Sequence, residues 1–160
     1  MRKKNVSFEM SVYGSIDHLP DDFGRLLYAA IESLSKSYAP YSSFYVGAAV
    51  LLQNDKIITG ANFENASYPL ALCAERVALA AAASQFPGVP VKAIAVTARN
   101  PAKAIETPIP PCGACRQVIS EVEKMNNKNI RMILGTESSE IYVLDSASFL
   151  LPFSFDGDFL

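Results

Sequence analysis

The run Phe44-Tyr45-Val46-Gly47-Ala48-Ala49-Val50-Leu51-Leu52, then Gln53-Asn54-Asp55, then Lys56-Ile57-Ile58-Thr59-Gly60-Ala61-Asn62-Phe63, decides the fold. Two β-rich segments flanking an Asn-Asp turn signal predict an antiparallel hairpin over 44–52 and 56–63. The small side chains at Gly47, Ala48, Ala49 and Ala61 imply that a helix lies closely on these strands.

Working outward, the alanine-rich stretch Cys73 to Ser84 reads as a helix, because alanine has the best helix propensity. Val91 to Thr97 has the β-branched content of a buried strand. Residues 98–111 form a loop holding four of the ten prolines: Pro101, Pro108, Pro110 and Pro111. Beyond it, Cys112 to Met125 reads as a helix, Ile130 to Leu134 and Ile141 to Leu144 as strands, and Ser146 to Leu151 as a short helix. Upstream of the hairpin, Phe23, Leu26, Leu27, Ala30, Ile31 and Leu34 recur at helical spacing. They predict a helix from Asp21 to Tyr38, with Pro20 and the Asp21-Asp22 pair at its start and Pro40 to stop it.

The order α-β-β-α-β-α-β-β-α predicts a three-layer α/β sandwich, a mixed five-stranded sheet with helices on both faces. Residues 20–160 are expected to form a single domain. Residues 1–19 are an N-terminal extension that adds a strand or stays loose.

Composition narrows the function. At 160 residues, half of them hydrophobic, the chain can bury a core. The formal charge is −2, and acidic and basic residues are mixed along the chain. That argues against a nucleic-acid surface, which needs a basic stripe. No segment reads as a signal peptide or membrane span, so a cytoplasmic protein is expected. The single histidine, His18, leaves a Ser-His or Cys-His mechanism one candidate base in a region with no other chemical signal.

The three cysteines fall in two short segments, Cys73-Ala74-Glu75-Arg76 and Pro111-Cys112-Gly113-Ala114-Cys115-Arg116-Gln117. Each segment opens a predicted helix, where the helix dipole favours thiolate over thiol. Cys112 and Cys115, three apart, project from one side of the first turn, and Cys73 adds a third sulfur from another helix. Three thiolates with one open position suit a catalytic zinc, since structural sites close with four protein ligands. A structural zinc module would need a fourth ligand such as His18. Glu75 is the candidate proton shuttle, and Arg76 the candidate partner that withdraws electron density from the thiolates. Residues two apart on a helix point roughly 200° apart. Cys73 must therefore sit at a non-helical cap for it and Glu75 to face one cavity.

These segments resemble the zinc-dependent cytidine deaminases, whose signature is a ligand, one residue, a catalytic glutamate, then Pro-Cys-x-x-Cys. A cysteine as first ligand is similar to the homotetrameric branch acting on free nucleosides. The resemblance implies a cytidine deaminase-like fold with one zinc per subunit on Cys73, Cys112 and Cys115. It also implies hydrolysis of cytidine and deoxycytidine, with Glu75 moving protons between the activated water and the pyrimidine. Tyr41 to Ala49 resembles the family's first strand, where the residue at Phe44 packs on the pyrimidine. Asn62-Phe63-Glu64-Asn65 resembles its nucleoside motif, which implies that Asn62 and Glu64 bond the ribose hydroxyls and that Ala74 lines the substrate site. Ala66, Tyr68 and Phe155, the last within Leu150 to Phe155, match positions that reach a neighbouring subunit's site. The implied partners are a small nucleoside and other copies of the chain, with neither nucleic acid nor membrane.

Overall fold

The computed structural model describes all 160 residues. In chain order the regular elements are β1 (Ser11–Tyr13), α1 (Asp21–Ser33), β2 (Tyr45–Leu52), β3 (Ile57–Ala61), α2 (Ala74–Gln85), β4 (Val91–Arg99), α3 (Gly113–Asn126), β5 (Arg131–Leu134) and β6 (Ile141–Leu144). The strands form one mixed sheet in the order β1-β6-β5-β4-β2-β3, parallel between β4 and β5 and antiparallel elsewhere. The expected hairpin is β2 and β3. Its turn places Asp55 at φ +61, with Asn54 Oδ1 accepting a hydrogen bond from Lys56 N at 3.2 Å. Aspartate tolerates this left-handed conformation better than most residues.

The sheet has six strands, not the five that the sequence predicts. The extra strand, β1, comes from the N-terminal extension, which pairs Ser11 with Val143 and Tyr13 with Ile141 along the β6 edge. Three residues carry no periodicity, so only the unpaired edge of β6 selects them as a strand. Just upstream, Phe8 stacks on Phe149 with ring centroids 5.6 Å apart.

Alternation along the strands builds two cores. Ala49, Leu51, Ala93, Ala95, Ile133 and Ile141 face α1, where Leu26, Leu27 and Ala30 meet them. Ala48, Val50, Leu52, Ile94, Val96, Met132 and Leu134 face the opposite layer, with Ala74, Ala78 and Leu79 of α2 and Cys115 and Ile119 of α3. Two glycines set how closely the layers approach. A β-carbon at Gly47 would lie 2.1 Å from the Ala30 carbonyl oxygen, and one at Gly60 would lie 2.5 Å from both Ala74 O and Ala78 N. Only glycine lets α1 and α2 rest on the hairpin at these points.

The first helix is shorter than the predicted 21–38. It ends at Ser33, whose hydroxyl donates back to Ala30 O, and a 3-10 turn follows over Leu34–Lys36. The tightening frees Ser37 to donate to Val46 O and Tyr38 to bridge Phe63. The short helix expected over 146–151 is a 3-10 turn, Ala147–Leu150, capped by the Ser146 side chain. No helix is long and apolar enough to cross a membrane.

Candidate active site

Cys73 and Cys112 are the N-cap residues of α2 and α3, with extended backbones at φ −76, ψ 149 and φ −65, ψ 166. Cys115 lies one turn into α3 and is fully buried. The helices lie on one layer and begin at the same end of it, so the three sulfurs fall within 4.8 Å of one another. Cys73 Sγ and Cys112 Sγ are 3.9 Å apart. The extended cap also answers the orientation problem posed by the two-residue spacing of Cys73 and Glu75, because Cys73 does not follow the helical rotation.

The donor set suits zinc. Sulfur ligands are typical of this metal, and neither a carboxylate nor His18 stands in the cluster. His18 sits in an exposed 3-10 turn ahead of α1, near the Ser15 hydroxyl. With three protein donors and no fourth, the geometry matches an open zinc site rather than a sealed structural one.

The electrostatics of the cluster favour loading it. Hydrogen bonding from Cys115, then from Arg76 and Cys112, outweighs burial and lowers the Cys73 thiol from 9.0 to about 5. Cys115 moves the opposite way, raised by its hydrogen bond to Cys73, by burial and by the negative charge of Glu75. A proton is thus lost more easily from Cys73 than from the buried Cys115. Arg76 holds its place by donating from Nη2 to Ala71 O at 3.0 Å and to Cys73 Sγ at 3.9 Å. Glu75 is 3% exposed, and burial, with Cys73 adding, raises its carboxyl above the usual 4.5.

Residues 22–129 match the model of a family described as the cytidine and deoxycytidylate deaminase zinc-binding region. The chain belongs to this family. Among its deaminase relatives, a cytidine deaminase of Halalkalibacterium halodurans is 43% identical over 137 residues, covering 86% of this chain and 96% of that one. The crystal structure of a cytidine deaminase from Burkholderia pseudomallei is 42% identical with a TM-score of 0.72, covering 82% of this chain and 97% of that one. A Mycobacterium tuberculosis cytidine deaminase structure is 30% identical with a TM-score of 0.66, covering 86% and 99%.

The other residues singled out in this deaminase chain are less tightly grouped. Glu64 accepts from the Ser42 hydroxyl, from Tyr41 N at 2.9 Å and from Ser42 N at 3.3 Å, which together hold its carboxyl below the usual range. Asn62 accepts from Val46 N at 2.8 Å and donates to Phe44 O at 2.9 Å. Both side chains thus have protein partners before any sugar arrives, so neither is left unpaired by a ligand without ribose. A cavity of about 280 Å³ opens beside Glu64, lined also by Tyr41, Asn65 and Tyr68. Phe44 instead walls a separate hollow beneath loop 100–109, with Ile105 and Ile109. Ala74 is buried at the start of α2. Ala66 and Tyr68 lie on the exposed loop between β3 and α2, and Phe155 is exposed and stacked on Phe159. A larger cavity, about 370 Å³ at the ends of β4 and β5, holds none of the cysteines. Sequence reasoning missed Ser42, whose hydroxyl serves Glu64 and accepts from Phe44 N at 3.0 Å. The Ser-x-Phe spacing of such a serine turn was the signal for it.

Proposed function

We propose that this chain is a zinc-dependent hydrolase that deaminates cytidine and 2′-deoxycytidine to uridine and 2′-deoxyuridine, releasing ammonia in pyrimidine salvage. The observation that carries the reading is the meeting of three thiols, with no fourth ligand, beside the buried carboxyl of Glu75. The relatives named cytidine deaminase supply the substrate class. Bound zinc would act as a Lewis acid, making a water acidic enough to lose its proton near neutral pH.

Glu75 would take one proton from the water and pass it to N3 as the oxygen bonds to C4. It would then take the second proton from the new C4 hydroxyl and deliver it to the amino nitrogen as the C4–N bond breaks. One water is consumed for each ammonia released. A carboxyl raised by burial suits both directions of transfer, because its affinity for the proton lies closer to working pH. Arg76 offsets the charge that three thiolates concentrate in the cluster. Ala74 and Phe44 flank the base, and Asn62 and Glu64 shape the sugar end, where the remaining amide hydrogen and carboxylate lone pair are free to bond hydroxyls.

We also assign the active form as a homotetramer in the cytoplasm, with Ala66, Tyr68 and Phe155 completing a neighbour's site. The support is an exposed apolar rim beside the site: Tyr38, Phe63, Tyr68 and Leu70 are each about half exposed or more. Tyr38 packs on Phe63 with centroids at 5.1 Å, and Tyr41 on Tyr68 at 6.1 Å. The test is zinc analysis and cytidine turnover on one sample, followed in the ultraviolet, for wild type and Glu75→Gln. Glu75→Gln should keep its zinc and lose about 10²–10⁴-fold in turnover. Full turnover in that variant, or none in the wild type, would end the reading.

A further inference from the structure

We infer that Arg116 is the positioning residue for the zinc ligand Cys112, holding both peptide groups that flank it; this rests on the function proposed above. Cys112 is the exposed member of the three cysteines, whereas Cys115 is buried and Cys73 half-buried. It follows an exposed, proline-rich loop, so packing alone does not fix its side chain. The two backbone torsions at its α-carbon aim the Cα–Cβ bond, and each is set by a neighbouring peptide plane, before the side-chain torsion places the sulfur.

Arg116 secures both planes. Its backbone N–H makes the helical bond to Cys112 O at 2.9 Å that any residue at this position would make, and its side chain adds the bond from Nε to Pro111 O at 2.8 Å. Its Nη1 donates to Leu150 O at 3.1 Å, which anchors the guanidinium to the C-terminal segment. The planar fork of arginine presents these donors in fixed directions, which a lysine ammonium cannot reproduce. The other cap has a parallel arrangement: Arg76, three residues past Cys73, holds the carbonyl of Ala71 ahead of that ligand. Each N-cap sulfur therefore has an arginine one turn later that fixes the chain leading into it. Unlike Arg76, Arg116 acts through the backbone and not through the sulfur.

The test is zinc affinity of the full-length protein, measured by competition with a chromophoric chelator, for wild type, Arg116→Ala, Arg116→Lys and Gln117→Ala. Gln117 is the control, because it ties the same C-terminal segment through Phe155 O at 2.7 Å without touching Cys112. Arg116→Ala should weaken zinc binding roughly 10-fold or more, the scale of groups that orient metal ligands. Arg116→Lys should fail to restore it, and Gln117→Ala should bind zinc like the wild type. If Arg116→Ala does not fold, Arg116→Lys decides alone. Wild-type affinity in either arginine variant that folds, or an equal loss in Gln117→Ala, overturns the inference. Zinc affinities in the expected order, with no cytidine turnover by the wild type, would leave Arg116's role standing and sink the proposed reaction.

Discussion

Gly60→Ala is the substitution that most directly couples the scaffold to the chemistry. The new methyl would lie 2.5 Å from Ala74 O and Ala78 N and 3.0 Å from Ala78 Cα, all backbone atoms of α2. Ordinary contact begins at 3.4 Å, and a close-packed interior passes such a mismatch on, so α2 must retreat by roughly 1 Å. Overpacking of this kind costs about 1–3 kcal/mol, offset in part by about 0.4–1 kcal/mol from the stiffer unfolded chain. A domain with about 5–15 kcal/mol in hand stays folded. The displaced turn carries Cys73 and Glu75, and a 1 Å misplacement of reacting groups can cost about 10²-fold in rate. Gly47→Ala is the matched control: its methyl would strike Ala30 O at 2.1 Å and Ser33 Oγ at 2.6 Å, pushing α1 on the opposite layer. Urea unfolding should show both variants destabilised, while cytidine turnover per folded, zinc-loaded molecule should fall only in Gly60→Ala. Unchanged turnover in Gly60→Ala, or an equal fall in Gly47→Ala, would refute the chain of reasoning.

Arg76→Ala should lower turnover about 10-fold or more through loss of the contact to Cys73, while the urea midpoint moves little; unchanged turnover at equal zinc content would assign the side chain no catalytic part. Zinc-stripped protein should alkylate at Cys73 with iodoacetamide at a rate that changes little from about pH 8 to about pH 6. The depressed thiol stays ionised until the pH falls through about 5, and added zinc should abolish the reaction. A rate dropping about tenfold per pH unit over that range, as for an ordinary thiol, would contradict the lowered Cys73 thiol. Tyr68→Glu should yield smaller assemblies by sedimentation and a parallel loss of cytidine turnover, and fully active monomers would remove the cross-subunit role.

The hairpin and the helices were legible because their signals are local: turn residues at 54–55, alanine at 78, 80 and 81–83, and apolar spacing from Phe23 to Leu34. The cysteine cluster was legible because residue type and spacing limit the chemistry available. What sequence could not supply depends on tertiary pairing. β1 exists because β6 has a free edge, and α1 stops early because Ser33, Ser37 and Tyr38 find partners at Gly60, Val46 and Phe63. Asn62 spends its amide on Phe44 and Val46, 16 to 18 residues away, only because of the register that pairs Gly47 with Ala61. Arg116 stood in the motif from the start, but its grip on Pro111 and Leu150 needs the folded chain.

Helices usually begin with a serine, threonine, aspartate or asparagine whose oxygen ties down a loose amide, worth about 1 kcal/mol each. α2 and α3 begin with cysteines that make no such bond. The protein gives up local stability twice to aim its sulfurs, so the empty fold is weaker than it could be. A serine at both caps would give a sturdier molecule blind to metal, and a copy released from selection for activity has an easy downhill route to that sequence.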